Sequence, residues 1–199
     1  MESGDPPPPP RDHRSRLYNL IMSNTLGYHI VVSGYGLWLP GDARGSWSEA
    51  WDEQIGFHQP HTLHPGDPAR HRIATERMRY PAVRLSEEMM RIWADVLRDC
   101  ARSSPWNLAA LSIEPTHTHL LITASTRGVD GTIKWLKDRT TKAIHTQTHH
   151  QGPVWCKGSW RSYLFDTTTW INTRDYIESH NVRRGLVPRP YDFVASLPV

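Results

Sequence analysis

No apolar run in the chain approaches the roughly 20 residues that a membrane-spanning helix needs, and 38% of the residues are hydrophobic, so the expectation is a protein with no membrane partner. Cysteine is nearly missing. Cys100 and Cys156 are too few for a disulfide framework and too far apart for a Cys-x-x-Cys site, which predicts free thiols and a reducing cytoplasm. Residues 1–16 carry a five-proline run and charges but lack the apolar core of a secretory signal, and they read as a disordered tail. No repeat divides the 199 residues, a length that can bury one core of ordinary size. The expected organisation is one domain over 17–190, with a loop-rich insertion at about 40–83 and a C-terminal tail at 191–199. A large excess of either charge is also lacking, because 23 Lys and Arg face 20 Asp and Glu for a formal charge of +3. Bulk charge therefore permits a nucleic-acid partner without requiring one.

What is present is a patterned middle and C-terminal half. Tyr28 to Ser33 has the β-branched content of a strand and is broken by Gly34-Tyr35-Gly36. Ser86 can cap a helix with Glu87 and Glu88 in its first turn, and Met89, Ile92, Trp93, Val96 and Leu97 recur at helical spacing. Leu108 to Ile113 reads as a strand that turns at Glu114-Pro115 into a second, histidine-bearing strand, so the two form a hairpin. Ile133, Leu136, Thr140 and Ile144 outline another helix, and a strand over about 159–165 leads to a last helix over about 168–180. This order predicts an α+β fold, an antiparallel sheet with helices packed on it. Two long helices should cover one face, and the last helix the other.

Two features carry chemistry. In Glu114-Pro115-Thr116-His117-Thr118-His119-Leu120-Leu121, strand alternation turns His117, His119 and Leu121 to one side and Thr118, Leu120 and Ile122 to the other. Two adjacent imidazoles pre-organise half of a coordination shell for one divalent cation. On the last helix Asn172, Tyr176 and His180 are spaced four apart and share a face, which would aim a hydroxyl and a third ligand at the histidine pair. Tyr163 and Tyr191 lack such a ligand one turn away. His58, His61, His64 and His71 lie in the insertion, where intervening prolines and glycines argue against a regular helix that would align them as a second metal site.

Between Lys134 and Arg189 ten basic residues face four acidic ones, with Trp135, Trp155, Trp160, Tyr163, Phe165, Trp170 and Tyr176 interleaved. Basic grooves with stacking aromatics hold single strands. The DNA-contacting candidates are Lys134, Lys137, Arg139, Lys142, Arg183 and Arg184.

Taken in order, these motifs resemble the single-tyrosine HUH transposases, which include the insertion-sequence single-strand transposases and the REP-associated tyrosine transposases. Tyr28-His29-Ile30-Val31 with the Gly34 to Gly45 loop resembles the first strand and a subgroup's following loop, and Pro115 to Leu121 the HUH motif. Ile133-Lys134-Trp135-Leu136-Lys137 is similar to the lysine-bearing helix, and Tyr176-Ile177-Glu178-Ser179-His180-Asn181-Val182 to Val187 to the tyrosine helix. Where many relatives have Asn-Pro, this chain has His180-Asn181, so His180 is taken as the third ligand with Asn181 as the fallback. The resemblance implies a ferredoxin-like, RRM-like HUH endonuclease fold and a metal-dependent single-strand DNA endonuclease and transposase acting at hairpin-containing sites. Mg²⁺ or Mn²⁺ on His117, His119 and His180 would polarise the scissile phosphate, and Tyr176 would attack it to leave a 5′-phosphotyrosine. Some relatives act as homodimers and others as monomers, and the resemblance leaves that choice open. Two other readings stand beside it: a nucleic-acid-binding protein of this fold that has lost its chemistry, and a metal-dependent hydrolase using bound water.

Overall fold

The computed structural model describes residues 24–48, 62–124 and 127–195. The proline-rich tail, His58 and His61, and residues 196–199 lie outside them. In chain order the elements are β1 (Gly27–Ser33), β2 (Ser46–Ser48), β3 (Thr62–His64), α1 (Pro68–Glu76), α2 (Glu87–Arg102), β4 (Leu108–Ile113), β5 (His117–Thr123), α3 (Val129–Gln147), β6 (Trp160–Leu164) and α4 (Thr167–Arg183). The four long strands form one sheet in the order β4-β5-β1-β6, and every neighbouring pair is antiparallel. With β2, β3 and α1 set aside as an insertion, the core is β-α-β-β-α-β in the ferredoxin-like arrangement, followed by α4.

The sheet separates two cores by alternation. Tyr28, Ile30, Leu111, Ile113, Leu120 and Ile122 turn to the face covered by α2 and α3, where Ile92, Trp93, Leu97, Ile133, Leu136 and Ile144 complete the larger cluster. Ala110, Leu121 and Leu164 face the other way and pack with Trp170 and Ile177 of α4. Helix α2 begins where the sequence places it, with the Ser86 hydroxyl accepting from the Met89 N–H at 3.2 Å. On the large-core side the Trp93 indole N–H donates to the Thr118 hydroxyl at 3.0 Å, tying α2 to the back of the histidine strand. That bond satisfies two polar groups that burial would otherwise leave costly.

Asp166 caps α4 by accepting from the Thr169 N–H at 2.8 Å, and Gly27 sets how closely the helix lies on the sheet. A β-carbon at Gly27 would stand 2.1 Å from the Ile122 carbonyl oxygen and 2.4 Å from the Trp170 ring. Gly27→Ala is therefore expected to lower unfolding free energy by about 1–3 kcal/mol through overpacking. It should also lift the helix that carries Tyr176. Urea unfolding checks the first effect, and a wild-type midpoint would show that α4 is not seated through this contact.

The loop-rich insertion carries a helix: Pro68 occupies the first turn of α1, where its missing N–H is harmless, and the Asp67 carboxylate accepts from the Ala69 and Arg70 N–H groups. One expectation needs revision. Residues 191–195, read as the start of a tail, fold back instead: Tyr191, Phe193 and Val194 pack against the larger core and the Ala195 N–H donates to the Leu108 carbonyl at 2.8 Å.

Candidate functional site

Alternation along β5 brings His117 and His119 onto the α4 face, and β1 lies beside them with Ser33 opposite His117 and Val31 opposite His119. Helix α4 crosses this face and sets the His180 ring 4.4 Å from that of His119 and 6.0 Å from that of His117, centroid to centroid. One ligand nitrogen from each of His117, His119 and His180 lies within 4.8 Å of the others. Tyr176, one turn earlier, sets its ring centroid 4.8 Å from His180 and 5.6 Å from His119 while staying 48% exposed.

Each of the three imidazoles has its Nδ1 engaged by a different partner. Thr116 Oγ1 lies 2.8 Å from His117 Nδ1, His29 Nε2 lies 3.0 Å from His119 Nδ1, and Glu114 Oε1 lies 2.5 Å from His180 Nδ1. The Nε2 atoms of His119 and His180 are buried and make no hydrogen bond among the described residues. Buried imidazole nitrogen without a partner is costly. A cation on the Nε2 side would satisfy all three rings at once, with carboxylate, hydroxyl and imidazole orienting them from behind, the usual arrangement of metal-bound histidine. The residues present therefore fit a divalent ion.

Electrostatics favours the ligand form. Burial, with the neighbouring imidazoles adding to it, lowers His119 to about 2. Burial and the His180 charge lower His29 to about 4. His117 is also lowered, chiefly by burial, although Glu114 opposes the shift. These imidazoles are neutral at physiological pH with a lone pair to donate.

His29, Glu114 and Thr116 were given no role from the sequence. His29 on β1 has the parity that places it beside His119, and Glu114 opens the histidine stretch, but their contacts arise only when β1 and α4 meet β5. The fallback ligand Asn181 uses its amide nitrogen elsewhere, donating to the Leu111 and Pro188 carbonyls at 2.9 and 2.8 Å, which ties α4 to β4 and to the chain beyond. Tyr163 sits edge-on to Tyr28 at 5.3 Å on the far face of the sheet, and Tyr191 is part-buried with its phenol pushed up by desolvation. Neither joins the cluster.

The basic candidates divide. Arg183 and Arg184 end α4 beside the site, where the Arg184 guanidinium donates to the Ile113 carbonyl. Lys134, Lys137, Arg139 and Lys142 lie on α3, which packs on the opposite face. There Lys134 pairs with Asp138, Arg139 lies over the Trp135 ring at 5.5 Å, and Lys142 is exposed. The Lys137 ammonium donates to the Cys156 and Gly158 carbonyls at 3.0 and 2.7 Å, and burial lowers its pKa. In this position it fastens the approach to β6.

Among the described residues no helix is long and apolar enough to cross a membrane. No curated protein gives a significant match to the sequence. Among solved structures, the chain is similar to a REP-associated tyrosine transposase bound to a REP hairpin, at 15% identity over 82% of this chain and 71% of that one, with a TM-score of 0.47. It is also similar to a protein of Deinococcus radiodurans R1 assigned as a transposase, at 18% identity over 78% of this chain and 91% of that one, with a TM-score of 0.41. The family model described as "Transposase IS200 like" matches residues 69–180, more than half of the sequence and a span that includes the histidine strand, Tyr176 and His180. The chain belongs to the IS200-like transposase family.

Proposed function

We propose that this transposase cleaves and rejoins single-stranded DNA at hairpin-containing sites through a covalent bond to Tyr176, with Mg²⁺ or Mn²⁺ held by His117, His119 and His180. One observation carries the reading: three imidazoles whose Nδ1 atoms are each engaged bring one ligand nitrogen apiece within 4.8 Å of one another beside a half-exposed tyrosine. A bound divalent ion supplies Lewis acidity and positive charge at the scissile phosphate. The three-histidine donor set is softer than Mg²⁺ usually takes, which favours Mn²⁺ in vitro.

The protein's residues perform the transfer. Tyr176 loses its phenolic proton as its oxygen attacks phosphorus, the bond from phosphorus to the 3′ oxygen breaks, and that oxygen takes up a proton. The products are a 5′-phosphotyrosine and a free 3′-hydroxyl. Rejoining is the reverse, with a 3′-hydroxyl displacing the tyrosine, so strands are joined without ATP. Arg183, beside the site, is the proposed contact for phosphate near the scissile position, while Lys137, its ammonium held by two carbonyls, is left out.

Glu114 acts through His180. Glu114→Gln removes the negative partner of the ring, and Mn²⁺ affinity by calorimetry should fall about 10–100-fold, the usual loss for an outer-shell partner. Unchanged affinity would mean that the carboxylate does not orient a ligand.

The function is tested by incubating the protein with Mn²⁺ and labelled single-stranded hairpins taken from the DNA flanking its own gene. An SDS-resistant labelled protein band is the expected result. Binding without any band would favour the second reading, a nucleic-acid-binding protein of the same fold without chemistry, which the replacement of the customary asparagine by His180 motivates. Turnover with no protein-linked species would favour hydrolysis by metal-bound water.

A further inference from the structure

Next to His117, outside the triad, the loop between β1 and β2 builds a second feature. A cavity of about 170 Å³ is lined by Ser33, Trp38, Arg44, Arg84, Thr116 and His117. It is smaller than a typical small-molecule site, and no carboxylate lines it. Trp38 is 44% exposed, yet its ring is fixed: the indole N–H donates to the Gly45 carbonyl at 2.8 Å and the Arg44 guanidinium lies 4.5 Å from the ring centroid. Arg44 is itself held, donating to both Asp42 carboxylate oxygens and to the Leu37 carbonyl at 2.7–2.8 Å. The loop is fastened in turn, because the Gly41 N–H donates to Ser46 Oγ and the Asp67 N–H to the Gly41 carbonyl, both at 3.0 Å. Gly41 and Gly45 have φ of 82° and 90°, backbone that other residues rarely adopt.

Ordering an exposed tryptophan this thoroughly costs side-chain entropy and returns little burial. A flat partner would recover the cost by stacking, since each nucleobase offers a π face. Arg84, exposed and with no ion pair among the described residues, stands on the same cavity and can take a phosphate. Thr116 connects the cavity to the triad through its contact with His117.

We infer that this cavity is a subsite for one nucleotide of the DNA strand next to the scissile phosphate, with the base stacked on Trp38 and a backbone phosphate on Arg84. The inference rests on the single-strand reading of the triad. Asp42 offsets the Arg44 charge, so Arg44 serves as backing for the ring and Arg84 as the phosphate contact.

The test uses full-length protein and a fluorescein-labelled single-stranded 15-mer of thymidine in which some bases are 5-iododeoxyuridine. Binding is followed by anisotropy in EDTA, and photocrosslinks are mapped by mass spectrometry. Trp38→Ala should weaken binding about tenfold, the lower part of the range for one stacked base, with Mn²⁺ affinity unchanged and the crosslink to the Trp38 peptide lost. Trp38→Phe should restore part of the affinity, and Arg84→Gln should weaken binding and flatten its salt dependence. Wild-type affinity in both Trp38→Ala and Arg84→Gln, with crosslinks mapping elsewhere, overturns the subsite and leaves the single-strand reading in place. A wild-type protein that binds no single strand overturns both.

Discussion

Tyr176→Phe should abolish the SDS-resistant protein–DNA adduct and reduce strand cleavage by about 10⁴-fold or more, the scale seen when a nucleophile is deleted. Affinity for a single-stranded oligonucleotide should change less than about twofold, because one hydroxyl contributes little to a groove held by phosphate contacts and stacking. The geometry makes this a clean deletion. The Tyr176 hydroxyl has no hydrogen-bond partner among the described residues, and the phenylalanine ring can keep its place against His180 and His119. No buried polar group is orphaned, so stability should stay within about 0.5 kcal/mol of wild type, as for surface changes generally. Denaturing gels, anisotropy and urea unfolding give the three readouts. An adduct that persists in the variant would move the nucleophile elsewhere, and Tyr163 and Tyr191 are poor heirs, since one lies on the far face and the other is packed into the core.

The parts of the site that sequence disclosed are those set by local periodicity. A two-residue repeat on a strand fixes His117 and His119 to one face whatever the rest of the chain does, and a four-residue repeat fixes Tyr176 and His180 to one helix face. The Ser86 cap and the alternation of Leu120, Leu121 and Ile122 are legible for the same reason, and they were enough to predict which helices cover which face of the sheet. That arrangement is what carries α4 across the triad.

What was not legible depends on partners distant in sequence. His29 matters because β1 pairs with β5 in a register that sets its Nε2 against His119 Nδ1, ninety residues away. Glu114 meets His180 only after α4 has crossed the sheet. Lys137 belongs to a run of basic residues that reads as a DNA-facing surface, and composition cannot reveal that two carbonyls occupy its ammonium. Asn181, one position beyond His180, is turned by about 100° around the helix, and residue type alone does not show that its amide nitrogen meets the Leu111 carbonyl of β4. In the insertion, Asp67-Pro68 is a helix start signal that the sequence reading did not use.

His119→Ala should remove metal-dependent stabilisation and cleavage together, and the physical reason lies in how the metal-free site is balanced. The wild-type ring is only 5% exposed, and its Nε2 has no hydrogen bond, a condition that costs about 1–3 kcal/mol. Truncation removes that orphan along with the ring's packing and its contact to His29, so in EDTA the two opposing effects should leave the variant only modestly less stable. With Mn²⁺ the two proteins should diverge. An ion at 100 times its Kd stabilises the folded state by about 2.7 kcal/mol, and for a chain of this length each kcal/mol moves Tm by about 2–4 °C. Wild type should therefore gain roughly 5–11 °C. His119→Ala, with affinity lowered by more than about 100-fold through loss of a direct ligand, should gain almost nothing. Single-strand affinity measured in EDTA should be close to wild type, which separates loss of the ion from loss of the DNA surface. An equal Mn²⁺-induced rise in both proteins would place the ion away from the triad, and the gathering of three histidines would then need another explanation.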